Sequence, residues 1–123
     1  MPIPRLVIVA YRPKPGKAAA LLSEVRDHHK LLRSEGLATD REPTIMRSTD
    51  GSIVEVFEWA SPAAIEEAHG NPRVQAMWQR FAAVSDYAPL NTLPESEALF
   101  AEFEPVVFDH TRPPDPPPSE RAE

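Results

Sequence analysis

The stretch EVFEWASPAAIEEAHGNPRVQAMW, residues 55–78, carries the passage from sheet to helix that decides the fold. Glu55, Phe57 and Trp59 alternate with Val56 and Glu58, the period-2 pattern of a strand. Ser61 and Pro62 follow at once, an N-cap residue with proline at the first helical position. The helix breaks at Gly70-Asn71-Pro72, where the same cap-then-proline signal restarts it. In the restarted piece Val74, Met77, Trp78, Phe81 and Val84 form one apolar stripe.

Upstream, Asp50-Gly51 between two apolar runs predicts a hairpin, joining a strand over 43–48 to one over 53–59. Residues 17–35 switch to helical period: Ala18, Leu21, Leu22, Val25, His28, His29 and Leu32 share one stripe, and Gly36 is placed to end the helix. Leu6 to Tyr11 is a strand of consecutive apolar residues, closed by Pro13, Pro15 and Gly16. Downstream, a polar connection over 86–97 leads to a last strand over 98–107. The five prolines of residues 109–123 predict a disordered or extended tail.

The order strand, helix, strand, strand, helix, strand predicts an α+β, ferredoxin-like βαββαβ domain over residues 1–108, with a four-stranded antiparallel sheet. Helices on one face leave the other to water, yet Leu6 to Ala10 has no polar face and Val54 and Val56 lie opposite Phe57 and Trp59. A second apolar face must be buried, which predicts a homodimer with its sheets packed face to face.

A net charge of -6 argues against nucleic acid and anionic membrane surfaces as partners. The chain has no cysteine, which excludes disulfides, thiolate nucleophiles and Cys-type zinc sites. The run Leu6–Tyr11 is too short to span a bilayer and has no cleavage site after it, so a cytoplasmic location is expected. His28-His29 beside Asp27 invites a metal reading, but neighbouring helix positions point about 100° apart and cannot easily grip one ion. No metal site is expected.

The PKPGK turn at 13–17, the Glu58-Trp59 end of the third strand, the S-P-x-A helix start at 61–64 and the A-H-x-x-P-x-V segment at 68–74 resemble the antibiotic biosynthesis monooxygenase family. The resemblance covers about residues 5–106 and implies the dimeric α+β barrel superfamily. It implies either cofactor-independent oxygenation of quinol-like or anthrone-like aromatics or, in another branch, haem degradation. The haem branch fits poorly: Trp78 stands where that branch has its ligating histidine, Ala68 near its tryptophan and Val9 near its asparagine. A cofactor is therefore not expected, and the implied partner is a small apolar or aromatic molecule.

On that reading His69 is the candidate base, with Tyr11 or Arg47 steadying an oxyanion. The plain alternative for His69 is a ring that caps the helix end through a backbone carbonyl. Phe57, Trp59, Trp78 and Phe81 are candidate walls of the substrate pocket, Trp78 alternatively being core packing. Glu55, facing inward, is either a desolvated base or the partner of Arg47 in a salt bridge. From a different class of function, the chain could be a dimeric module that binds an apolar metabolite without transforming it.

Overall fold

The computed structural model describes residues 3–108. The tail expected at 109–123 lies outside the described residues. The elements are β1 (Arg5–Pro13), α1 (Ala18–Ser34), β2 (Thr44–Arg47), β3 (Ile53–Trp59), α2 (Pro62–His69), α3 (Pro72–Val84), β4 (Ser85–Ala88) and β5 (Glu104–Pro105). All strand pairs are antiparallel, in the order β4-β1-β3-β2-β5. Among the described residues the sheet thus has five strands where four were expected. Among the described residues no helix is long and apolar enough to cross a membrane.

The signals in residues 55–78 act as expected. Ser61 Oγ accepts the Ala64 amide at 3.1 Å, and Asn71 Oδ1 accepts those of Arg73 and Val74 at 2.9 and 3.1 Å. Two separate helices result. Asn71 also donates from Nδ2 to Glu35, which receives the Arg73 guanidinium as well. Asn71→Ala should therefore cost about 1–2 kcal/mol, seen as a thermal midpoint lower by several degrees with helix content unchanged. An unaltered midpoint would mean the cap is dispensable.

Gly36 ends α1 with φ at +75°, its N–H bonded to Arg33 O, while the Leu37 N–H reaches back to Leu32 O. This reciprocal pair satisfies the last carbonyls and turns Leu37 into the core. At the hairpin, Gly51 adopts φ +93° and Asp50 Oδ1 accepts the Ser52 amide.

All three helices share one core with one face of the sheet. Leu21, Val25 and Leu32 of α1, Ala64 and Ala68 of α2, and Val74, Met77 and Phe81 of α3 pack against Tyr11, Ile45, Ile53, Phe57 and Trp59.

The C-terminal reading needs correction. The chain leaves α3 directly into β4, which pairs with the end of β1. Ser85 takes an extended backbone and its hydroxyl bonds to Phe81 O at 2.9 Å, so helix turns to strand without a loop. The polar look of Ser85-Asp86 hid a strand of four residues. The expected strand over 98–107 contributes only the two residues of β5. Residues 89–103 instead form an arm over the second face of the sheet. The Thr49 amide and the Ser48 hydroxyl bond to the Glu95 carboxylate, at 2.8 and 2.7 Å, and hold its pKa down to about 2.

The arm covers part of the second apolar face. Leu93 packs with Ala10, Val54 and Ala88. A groove of about 210 Å³ remains, lined by Ile8, Met46, Val54, Leu90, Leu93 and Phe103. Beside it Leu6 and Ile8 stay 57% and 53% exposed.

Candidate functional site

Strand β3 runs through the middle of the sheet, with Glu55 opposite Val9 of β1 and Ile45 of β2. Ile53, Phe57 and Trp59 fix which face looks toward the helices, and alternation then forces Glu55 inward with them. Its exposure is 0%. A carboxylate so placed demands partners.

Two donors converge on a single oxygen. Tyr11, diagonal to Glu55 across β1, donates its hydroxyl to Oε1 at 2.7 Å. His28, from the inward stripe of α1, places Nδ1 2.8 Å from the same oxygen. An Nδ1–H donated to the carboxylate leaves Nε2 of a neutral imidazole as the ring's acceptor. The second oxygen, Oε2, is buried and has no hydrogen-bond partner among the described residues. An orphan acceptor of this kind costs about 1–3 kcal/mol.

Aromatic rings wall the triad. Phe81 stacks on Tyr11 at 4.9 Å, and Phe57 and Phe81 each meet His28 edge-on at 5.1 Å. Burial pushes the Tyr11 phenol well above its usual range, and the neighbouring Glu55 charge pushes it further. Tyr11 therefore stays a hydrogen-bond donor throughout the accessible pH range.

The structure brings together Tyr11, Glu55, Phe57 and Phe81 of the candidates read from the sequence. Trp59 adjoins them, 5.3 Å from Phe57. Arg47 stands apart: it pairs with Glu104 at 2.8 Å, because β5 lies on the outer side of β2. The Arg47–Glu55 salt bridge is thus not formed. His69, expected beside the pocket, is exposed on the last turn of α2. Its Nδ1–H donates to Ile65 O at 2.9 Å and its ring meets Trp78 edge-on at 5.2 Å. That is the capping arrangement weighed as its alternative, and Trp78, half-buried, packs against the helix-side core.

His28 belongs to the site, although from sequence it is placed only on the inward stripe of α1 and in the rejected metal reading. The signal was present: a histidine on an inward helix stripe and a glutamate on an inward strand face are two buried polar groups, and each needs the other. His29 plays a separate part, with Nε2 2.8 Å from Thr39 O. Among the described residues no cluster of three or more potential ligands could hold a metal.

Neither a protein-family model nor a curated protein matches the chain. Among solved structures, that of Rv0793 from Mycobacterium tuberculosis is similar, with a TM-score of 0.57 over 70% of this chain and 89% of that one. The two share a fold. At 22% identity the likeness to Rv0793 speaks to architecture alone.

Proposed function

We propose that the chain is a ferredoxin-like protein of the antibiotic biosynthesis monooxygenase type, pairing into a dimeric α+β barrel and oxidising a small anthrone- or quinol-like aromatic without a cofactor. The observation that carries this reading is Glu55, a fully buried carboxylate with one oxygen shared by Tyr11 and His28 and the other unpartnered. An aromatic hydroxyl donating to Oε2 completes its hydrogen bonding. The Glu55–His28 pair then has the make-up of a base whose imidazolium form a carboxylate steadies.

For an anthrone, the pair removes one proton from the ring CH2 and the carbanion gives an electron to O2. The two radicals join as a peroxide anion, which takes the proton back. Loss of the second C–H proton with the peroxide O–O bond leaves a carbonyl and one water. One O2 is consumed per substrate, with one oxygen atom in the product. The residues bind, orient and move the protons, and the aromatic walls exclude water.

The test is oxygen uptake by the protein with an anthrone in air, after treatment with chelator. One O2 per quinone formed, at an undiminished rate, is the expected result. No uptake above the protein-free control would overturn the reading. A binding module remains the second reading. The observation behind it is the apolar groove across the sheet, which no titratable side chain lines. Retention of a naphthol without turnover would favour it.

The barrel reading also requires the exposed Leu6 and Ile8 face to be covered by a second copy. Native mass spectrometry at micromolar concentration should show a dimer, and Ile8→Lys a monomer. A wild-type monomer at that concentration would remove the barrel.

A further inference from the structure

A triad with a fully buried carboxylate needs a way in. Among the described residues, three rings meet Tyr11 or His28, namely Phe57, Phe81 and Tyr87. Phe57 and Phe81 are buried, whereas Tyr87 is 65% exposed. Tyr87 sits directly opposite Tyr11 in the β1–β4 register, its ring 5.8 Å away and tilted by 41°. It therefore stands on the helix-facing side of the sheet, as Tyr11 does.

An exposed side chain on an edge strand can change rotamer without moving the backbone. Among the described residues β4 is an edge strand of four residues with β1 as its sheet neighbour. Pro89 follows it immediately and contributes no amide. The backbone is held at both ends, by the Ser85 hydroxyl on Phe81 O and by Ala88 buried with Leu93, Ala10 and Val54, so the part left to swing is the Tyr87 side chain. The Tyr87 phenol is also in electrical reach of the site: its pKa is raised by burial and then by the Glu55 charge.

We propose that Tyr87 is the door and outer wall of the Glu55 site, through which a flat aromatic alcohol passes to lie against Tyr11 and offer its hydroxyl to Glu55 Oε2. The choice of ligand rests on the function proposed above; the door does not. A planar ring replaces the stacking that Tyr87 gives up when it swings outward, and the exposed edge strand admits it without opening the core. Bulky, non-planar alcohols are rejected at this point.

The chain has two tyrosines, Tyr11 and Tyr87, which makes the test clean. In Tyr87→Phe the ring cover remains and Tyr11 is the only tyrosine left. In Tyr87→Ala the cover is gone. Acetylation of Tyr11 by N-acetylimidazole, located by peptide mass spectrometry, should be at least roughly tenfold faster in Tyr87→Ala than in Tyr87→Phe. His29, equally buried but bonded to Thr39 O on its own, is the internal control. Its carbethoxylation by diethyl pyrocarbonate should be the same in both variants.

Equal Tyr11 reactivity in the two variants would overturn the door, and so would Tyr11 and His29 rising together, which is general opening of the fold. Turnover does not enter this measurement. A fast Tyr11 in Tyr87→Ala with no oxygen uptake by the wild type sinks the oxygenase and keeps the door. A slow Tyr11 with a wild type that consumes oxygen does the reverse.

Discussion

If the proposed oxygenase reading holds, Glu55→Gln should lower the rate of anthrone oxidation by about 10²–10⁴-fold, the usual contribution of a positioned acid–base group. Glutamine keeps the size of the side chain and an oxygen for the Tyr11 hydroxyl, so the fold is held. It cannot stabilise an imidazolium at His28, nor share a proton with it. His28→Gln should fall by a similar factor, with the double variant little worse than either single one, as expected of two residues that work as a unit. His69→Ala is the control. Its ring is spent on the Ile65 carbonyl at the surface, so its removal should leave the rate unchanged. Full activity in Glu55→Gln would take the buried site out of the chemistry. Collapse of activity in His69→Ala, with folding intact, would return the base to the surface of α2.

The contrast between these two histidines shows what the sequence reveals and what it hides. Punctuation residues act locally, so Ser61-Pro62, Asn71-Pro72, Asp50-Gly51 and Gly36 could be read one at a time, and each does in the structure what its chemistry requires. The same holds for the inward placement of Glu55, which follows from period-2 alternation. The pairing of Glu55 with His28 spans 27 residues and two kinds of element. No local pattern encodes it; it follows only from asking which buried polar groups would otherwise lack a partner. His69 drew notice because it sits beside a visible helix break, which is where a capping side chain belongs. β4 was lost for a related reason. Four residues beginning Ser-Asp carry too little apolar signal to register as a strand, and only the β1 partner makes them one. β5 is two residues long because, of 98–107, only Glu104 and Pro105 pair with β2, and much of the apolar content of that stretch faces outward rather than into the sheet. Leu99 and Phe100 accordingly stand almost fully exposed.

Replacing the triad as a whole separates its chemistry from its stability. Glu55→Met alone strands the Tyr11 hydroxyl and the His28 ring in the core with no acceptor. Breaking a buried polar cluster from one side costs about 3–5 kcal/mol, a large part of the stability of a domain this size. The triple variant Tyr11→Phe, His28→Leu, Glu55→Met leaves nothing unpaired, and it also abolishes the orphan Oε2. Apolar replacements of similar volume in such clusters are commonly neutral or stabilising by about 1–4 kcal/mol. Urea unfolding should therefore place the triple variant at or above the wild type and the single variant far below it, and both should be inactive toward an anthrone. A triple variant as unstable as Glu55→Met would show that the cluster is a structural tie whose geometry the core requires. The expected ordering says something else: the chain holds a carboxylate, an imidazole and a phenol at its centre where methionine, leucine and phenylalanine would fold as well, and stability alone gives no reason for them to be there.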